Sequence, residues 1–398
     1  LALSLGNLNG QVTGVIALDM LEGTVECLQA KAVIIADDGF ENAWESGNSS
    51  SRGLSISLEA GCQLRDLEFV SWNPLGIPDT ELSLSLDILQ NGGKISTTSG
   101  TQIEINSDST PNNLAFEINN AGGSALLDAT SLSKSAIEWY SGLRRSVKER
   151  TGLDMFEQVI PIAPRLEQTV GGLPVDEHGR VIKGNWDTWF TGLYSAGGAS
   201  CSGLNGTGII AGNRLMEDLV GGSSAGMHAG KWVKKKNFSG TESLNEALFS
   251  AKAKISDMLS SASTNNTSSI GKIKSRLWNT ITTNMGFSRS LEGLQNATQI
   301  LESLEAELDK EELVDGSLIM NTNLMEMLEL RGLISVTQAS IIAAQSRSES
   351  RGSHQRDDYQ ETVDETMLKH TLVDSSLQIN WLPLRKSGSG TWILTPSN

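Results

Sequence analysis

The chain has 398 residues, a formal net charge of −16 and a pI near 4.8. Hydrophobic residues make up 38% and charged residues 20%, the balance of a soluble globular protein of two or three domains. The acidity argues against a nucleic-acid binder, since phosphate recognition needs a basic face. The single basic run, Lys231–Lys236 (KWVKKK), reads as a solvated helix end.

No stretch approaches the ~18 uninterrupted apolar residues of a membrane span. The opening residues, LALSLGNLNG, show neither the basic nor the long apolar part of a signal peptide. Any membrane association is therefore expected to go through a partner. Cys27, Cys62 and Cys201 include no C-x-x-C pair, and a reduced intracellular compartment is the simpler reading. His178, His228, His354 and His370 are scattered and read as surface or hydrogen-bonding residues, so no metal site is expected.

In chain order, residues 8–36 read as β structure, with turns at Asn9-Gly10 and Glu22-Gly23. Ala32–Ala36 is a continuous apolar run, expected to be a strand covered on both faces in a parallel α/β sheet. A polar loop from Asp37 to Arg52 and a helical stretch through Ala60 follow. Residues 78–125 are rich in Ser, Thr, Asn and Gly and read as a β-rich, loop-heavy insert. Residues 130–152 look helical, with Ile137, Tyr140 and Leu143-Arg144 at helical spacing. Residues 160–200 return to short strands and turns, with a strand at Leu193–Ala196 that closes on Gly197-Gly198.

Residues 209–233 are expected to form a helix dotted with glycine and alanine, a composition that permits close backbone packing. Residues 255–270, with SSASTNNTSS, read as a linker. Leu291, Leu294, Ala297, Leu301, Leu304 and Leu308 form one helical stripe, and a second apolar helix runs from Leu324 to Ile342. Together they suggest a helical bundle of roughly 90 residues. The tail from Leu377 is expected to add a short β element.

Three segments carry a resemblance. Glu349–Asp358 (ESRGSHQRDD) with Met367–Leu372 (MLKHTL) is similar to the ESRGAHxRxD…WxKHTL signature of the succinate dehydrogenase and fumarate reductase flavoproteins. Thr191–Gly198 (TGLYSAGG) with Ala211–Leu215 (AGNRL) resembles their GLYAAGE…GGNSLL segment, which lies against the flavin. Leu58–Val70 with Asn73–Ile77 (NPLGI) resembles LRAGAxLxDMEFVxFHPTGI. The matches run in family order from about residue 10 to 385.

The resemblance implies an α/β plus α fold. A partial FAD-binding, Rossmann-like lobe (1–77) is interrupted by an eroded capping region (78–165) and resumes (166–235). A linker (236–270), a C-terminal helical domain (271–376) and a β tail (377–398) follow. The family's GxGxxG loop, which brings backbone N–H groups to the pyrophosphate, has no counterpart in these residues. Either the chain is a fragment or split gene, with a further chain supplying that lobe, or FAD binding has been given up.

The family oxidises succinate by moving a hydride to the flavin and a proton to a base. A dicarboxylate needs cationic or strong hydrogen-bond donors at both ends. Here Asn73 and Leu75 stand at the histidine and threonine of HPTG. Ser85 and Leu86 stand at a Thr-Glu pair, Glu167 at a second histidine, and Ile209 at the substrate arginine of HGANRL. The proton-shuttling arginine has no counterpart; Arg144 and Arg145 lie in helical context and read as a solvated face. No catalytic set is intact, and each lost bidentate anchor removes charge-assisted bonds worth roughly 1.5–3 kcal/mol.

On the cofactor side, the family's ATGG turn becomes Ala36-Asp37-Asp38-Gly39, which sets two carboxylates where a pyrophosphate is expected. The family's GE glutamate becomes Gly198. Gly197, Gly198, Gly208, Asn213, Arg214 and Leu215 remain as cofactor-binding positions, beside the dipole of a helix beginning near Gly208.

Three functions follow. One is a flavoprotein subunit coupling succinate/fumarate redox to an electron-transfer chain, with FAD, an iron–sulfur partner and membrane anchors on the cytoplasmic face. Another is a non-catalytic paralogue acting as scaffold or interaction subunit. The third is a family flavoenzyme with a changed substrate.

Overall fold

The computed structural model describes residues 1–44, 49–105, 109–183, 188–210, 212–260, 262, 268–386 and 392–393. The chain opens as an antiparallel meander of β1 (Ala2–Leu8), β2 (Gln11–Asp19) and β3 (Thr24–Gln29). Its first turn holds Asn9 at φ 51° and Gly10 at φ 83°, left-handed values that Asn-Gly accepts at little cost. β4 (Val33–Ile35), α1 (Arg52–Glu59), β5 (Leu64–Arg65) and β6 (Val70–Gly76) complete this stretch.

The next segment builds a separate small layer. It holds α2 (Asp87–Gln90), β7 (Lys94–Thr97), β8 (Gln102–Ile103), α3 (Pro111–Asn120), β9 (Ala125–Asp128), α4 (Lys134–Trp139), α5 (Ser141–Thr151) and β10 (Ile160–Thr169). The strand order is β6-β10-β9-β7-β8, so the long β10 ties this layer to the first lobe. α3 falls where a loop-heavy β insert was expected. Thr110 caps it, accepting from the Asn113 amide, and Pro111 starts it; Leu114, Ala115 and Ile118 bury one face. Arg144, expected on a solvated face, pairs with Asp154 at 2.8 Å and Glu157 at 3.0 Å.

The chain then returns through β11 (Leu173–Pro174), β12 (Arg180–Lys183), β13 (Thr188–Ser195), β14 (Ser200–Cys201) and α6 (Asn213–Val233). β13 lies parallel to β4, with Leu193, Tyr194 and Ser195 opposite Val33, Ile34 and Ile35. α6 covers Tyr194 and Ala196 through Ala225 and Ala229. α6 begins at Asn213 rather than near Gly208. Gly212, at φ 84°, is its left-handed lead-in.

The expectation that Ala32–Ala36 is covered on both faces holds on one face only. Ile35 is in the core, whereas Ile34 is 41% exposed, because nothing among the described residues lies over it. The outward face of α6 is likewise apolar. Leu215, Met216, Leu219, Val220 and Met227 are each 54–62% exposed. The histidines are less scattered than their spacing suggests: the rings of His178 and His228 stack at 4.6 Å, and Tyr194 bonds His228 at 3.0 Å.

Much of the expected linker is helical. α7 (Glu242–Ser260) buries Leu244 and Ile255 against the first meander. Its Ala, Leu and Lys content favours helix as far as Ser260, and the polar run overrides it only beyond. Residues 261 and 263–267 of that run lie outside the described residues.

The C-terminal part contains α8 (Ile270–Asn284), β15 (Ser288–Arg289), α9 (Leu291–Leu308), α10 (Thr322–Ser346), β16 (Gln355–Arg356), α11 (Asp364–Met367), β17 (Lys369–Val373) and β18 (Ile379–Pro383). α9 buries Leu294, Ala297, Leu301, Leu304 and Leu308, as its stripe demands. α10 is long and apolar enough to cross a membrane by composition, yet 72% of that window is buried inside the protein, the environment of a core helix. One hydrophobic core runs from the first meander into these helices, while the inserted layer keeps its own.

Candidate functional site

The glycines after β4 and β13 meet at one point. The Ala196 amide donates to the Ile35 carbonyl and the Ala199 amide to the Asp37 carbonyl, which locks the two turns together. Gly39 leaves no room for a side chain: a Cβ there would sit 1.9 Å from Thr169 Oγ1. Thr169 is itself fixed, since its amide and hydroxyl both donate to the buried Glu41 carboxylate at 2.9 and 2.8 Å. Gly197 takes φ 71°, a left-handed value that suits glycine.

Arg214, in the first turn of α6, reaches into this cradle. Its Nη1 donates to Gln168 Oε1 at 2.7 Å and lies 3.7 Å from Glu41, and its Nη2 lies 3.5 Å from Asp38. Asn213 donates to Asn205, which donates to Glu217. Burial, aided by Glu217 and Asp38 and opposed by Arg214, raises the Asp218 carboxyl above the usual range. Of the expected cofactor positions, Gly197, Gly198 and Arg214 line this cavity, together with Ile209. Asn213 does not line it but donates to Asn205, which does. Gly208 and Leu215 stand outside it, Gly208 with open space around it and Leu215 facing outward. The expected pair of carboxylates separates: Asp37 turns away and accepts from Ser50 Oγ and the Gly53 amide at the start of α1, leaving Asp38 beside Arg214.

The six expected substrate positions do not gather at one site: Ile209 lines the glycine cavity, while Leu75 is in the core of the inserted layer. Asn73 is buried, and its amide is used by backbone: it donates to Leu84 O at 3.3 Å and accepts from the Leu75 amide at 2.8 Å. Ser85 and Glu167 are exposed. Leu86 lines a cleft of about 800 Å³ between the inserted layer and Ile210, with Leu89, Ile103 and Leu114. Lys94 is the one Lys, Arg or His among its described lining residues. Among the described residues no cluster of His, Cys, Asp and Glu could hold a metal ion.

The signature segments do something else: they form a buried charge network between the first lobe and the C-terminal part. Arg347 Nε donates to Glu68 at 2.7 Å and its Nη1 to Glu349 at 3.0 Å; Thr371 Oγ1 donates to the other Glu68 oxygen at 2.7 Å. Arg289 donates to the Glu68 carbonyl at 2.6 Å and to His354 Nδ1 at 3.0 Å. His354 Nε2 therefore carries the proton and faces the Arg347 carbonyl at 3.3 Å. His354 is fully buried; burial, then Arg289 and Arg347, keep its ring neutral well below the usual histidine range. Asp66 meets His370 at 2.5 Å. Burial opposes its charge, but His370, Arg65 and Arg347 outweigh it and hold its carboxyl low. Both sides of this network lie in segments that carry the resemblance, Arg347's neighbours in the ESRGSH and KHTL runs and Asp66 and Glu68 in Leu58–Val70; that they meet across the fold carried no local signal.

A family described as "FAD binding domain" matches residues 1–215, and "Fumarate reductase flavoprotein C-term" matches residues 274–389. The succinate dehydrogenase flavoprotein subunit of Rickettsia bellii is 26% identical over 388 residues, 92% of this chain and 64% of that protein. The fumarate reductase flavoprotein subunit of Mycobacterium tuberculosis is 26% identical over 413 residues, 94% of this chain and 70% of that one. A solved variant of E. coli quinol fumarate reductase covers 100% of this chain and 72% of its own, with TM-score 0.83 at 22% identity. The chain belongs to the succinate dehydrogenase/fumarate reductase flavoprotein family, whose cofactor is FAD. It spans 64% of the length of the Rickettsia bellii relative.

The cradle does not fit a flavin ring as it stands. The free cavity is about 30 Å³, room for no more than a few water molecules. A Cβ on Gly198 would lie 2.5 Å from an Arg214 amino group, so the hollow that glycine leaves is already filled.

Proposed function

We propose that this chain serves as the flavoprotein-type subunit of an electron-transfer complex of the succinate dehydrogenase and fumarate reductase kind. The observation that carries this reading is the ordered match of the FAD-binding domain and the flavoprotein C-terminal domain on one chain. On this reading FAD, when bound, accepts and returns a hydride. Partners of the iron–sulfur and membrane-anchor type take the electrons onward, and the chain lies peripherally on the cytoplasmic membrane face. The chain's own contribution is the scaffold: the Glu68–Arg347 network fixes the C-terminal part on the lobe that carries the cradle.

A second reading concerns the substrate. Asn73 is tied to backbone, Leu86 and Ile209 stand at the polar anchors, and Lys94 is the one cation among the described residues lining the neighbouring cleft. A dicarboxylate held there would lack charge at one end, which favours a neutral or singly charged substrate, or a scaffold role without turnover.

One experiment separates these. The chain is purified after co-expression with its neighbouring genes, and its visible spectrum and succinate-dependent dye reduction are read together. Flavin near one per chain with succinate turnover supports the dicarboxylate enzyme. Flavin without turnover supports a changed substrate. A colourless, folded chain supports the scaffold.

A further inference from the structure

The residue that most distinguishes this cradle is Arg214. Four observations bear on it. Its guanidinium lies in the hollow at Gly198, where a Cβ would be 2.5 Å from Nη2, 2.9 Å from the Gly39 amide nitrogen and 3.1 Å from Asp38 Cα. It is held by Gln168 at 2.7 Å and stands within 4 Å of both Asp38 and Glu41. It is the one Lys, Arg or His among the described lining residues, in a wall that also holds Glu217 and Asp218. The space left over is about 30 Å³, although Gly197, Gly198, Gly203 and Gly206 frame it.

Glycines set around a hollow normally admit a ligand close to backbone. Here an arginine from the adjoining helix takes that place, and acceptors on two other segments hold it there. The hold is reversible in principle. The side chain is 31% exposed, so it has a route to solvent. Its partners carry charge but are not a closed network: Asp38 is 66% exposed, and the ion pair with it is correspondingly weak.

We propose that Arg214 is a resident stopper of the cofactor cradle, so that a flavin ring and the Arg214 guanidinium compete for one space. The proposal rests on the FAD reading of this family. Flavin binding then requires the guanidinium to leave Gln168, Asp38 and Glu41. FAD does not replace what leaves, because its pyrophosphate adds negative charge to a wall already lined with carboxylates. Affinity for FAD is therefore low in the native chain and rises when the stopper is shortened.

The test is an equilibrium titration of FAD fluorescence with the full chain, its Arg214→Ser and Arg214→Lys variants, and Asp38→Asn. Circular dichroism checks the fold of each. The expected result is a Kd about 10-fold lower for Arg214→Ser, a factor of ten being 1.4 kcal/mol. Asp38→Asn, which loosens the stopper without removing it, is expected to lower Kd by about 2- to 5-fold, the range of one exposed ion pair. Arg214→Lys keeps a cation of similar reach and is expected to stay near the native value. Equal affinity in the native chain and Arg214→Ser overturns the stopper and leaves the FAD reading intact. Folded chains that bind no flavin in any form, alone or co-purified with the products of their neighbouring genes, overturn both.

Discussion

Glu68 and Arg347 meet at 2.7 Å across 279 positions of sequence, and neither side chain is more than 1% exposed. Each is satisfied on its other side as well, Glu68 by Thr371 and Arg347 by Glu349 and two carbonyls. A buried pair of this kind adds little net stability compared with an apolar pair, but removing one half is costly even though Arg347 keeps Glu349, because the buried guanidinium loses one of its two carboxylate partners. Glu68→Gln is therefore expected to lower the unfolding free energy by about 3–5 kcal/mol, read from urea denaturation. A loss below about 1 kcal/mol would show that water reaches Arg347.

His354 gives the chain an acid sensitivity of defined sign. Its ring is held neutral in the fold by burial and by Arg289 and Arg347, while in the unfolded chain it takes a proton near pH 6.5. The folded pKa is the lower one, so stability is complete above about pH 6.5. It falls as pH drops below that value, by up to about 1.4 kcal/mol per unit. Urea midpoints at pH 7.5 and 5.5 should differ more in the native chain than in His354→Gln. Equal differences would remove His354 as the cause.

Gly39 is fixed by packing. Its Cβ position overlaps Thr169 Oγ1, and Thr169 cannot yield without breaking its bonds to Glu41. Gly39→Ala is expected to cost about 1–3 kcal/mol. Gly61→Ala is the control for a glycine that meets nothing within 4 Å but sits at φ 90°; its cost should be conformational alone, about 1–2 kcal/mol. Thermal unfolding of both variants checks the pair, and a Gly39→Ala chain as stable as the parent would place Thr169 elsewhere.

The outward face of α6 makes few intramolecular contacts. Leu215→Gln with Leu219→Gln is expected to change the unfolding free energy of the isolated chain by no more than about 0.5 kcal/mol. A loss above 2 kcal/mol would mean that these leucines are packed against something in solution.

Much of the fold was legible because its signals were local. Asn9-Gly10 sets the first hairpin, the leucine spacing sets α9, and the ESRGSH and KHTL runs set the C-terminal network. The departures share a cause: they depend on what lies across space. Ile34 belongs to an apolar strand, but whether a second layer covers it is not written in that strand. Asp37 and Asp38 are neighbours, yet one caps α1 and the other faces Arg214, a split decided by the turn between them. Asn73 looks like a substrate donor until Leu84 and the Leu75 amide claim its carboxamide. Arg214 reads in sequence as one of the cofactor-binding positions; that its guanidinium fills the Gly198 hollow appears only once two turns from distant segments are joined.

The pairing of Glu68 with Thr371 and Arg347 also sets an order of events at the ribosome. Thr371 is made 303 positions after Glu68. At about 10 residues per second that interval is roughly half a minute. Throughout it, Asp66 and Glu68 lack their C-terminal partners, so the first lobe cannot close while the chain is still short. A nascent chain that stalls before β17 therefore exposes an unfinished core and unpaired charges, and is a substrate for chaperones rather than a stable half-protein.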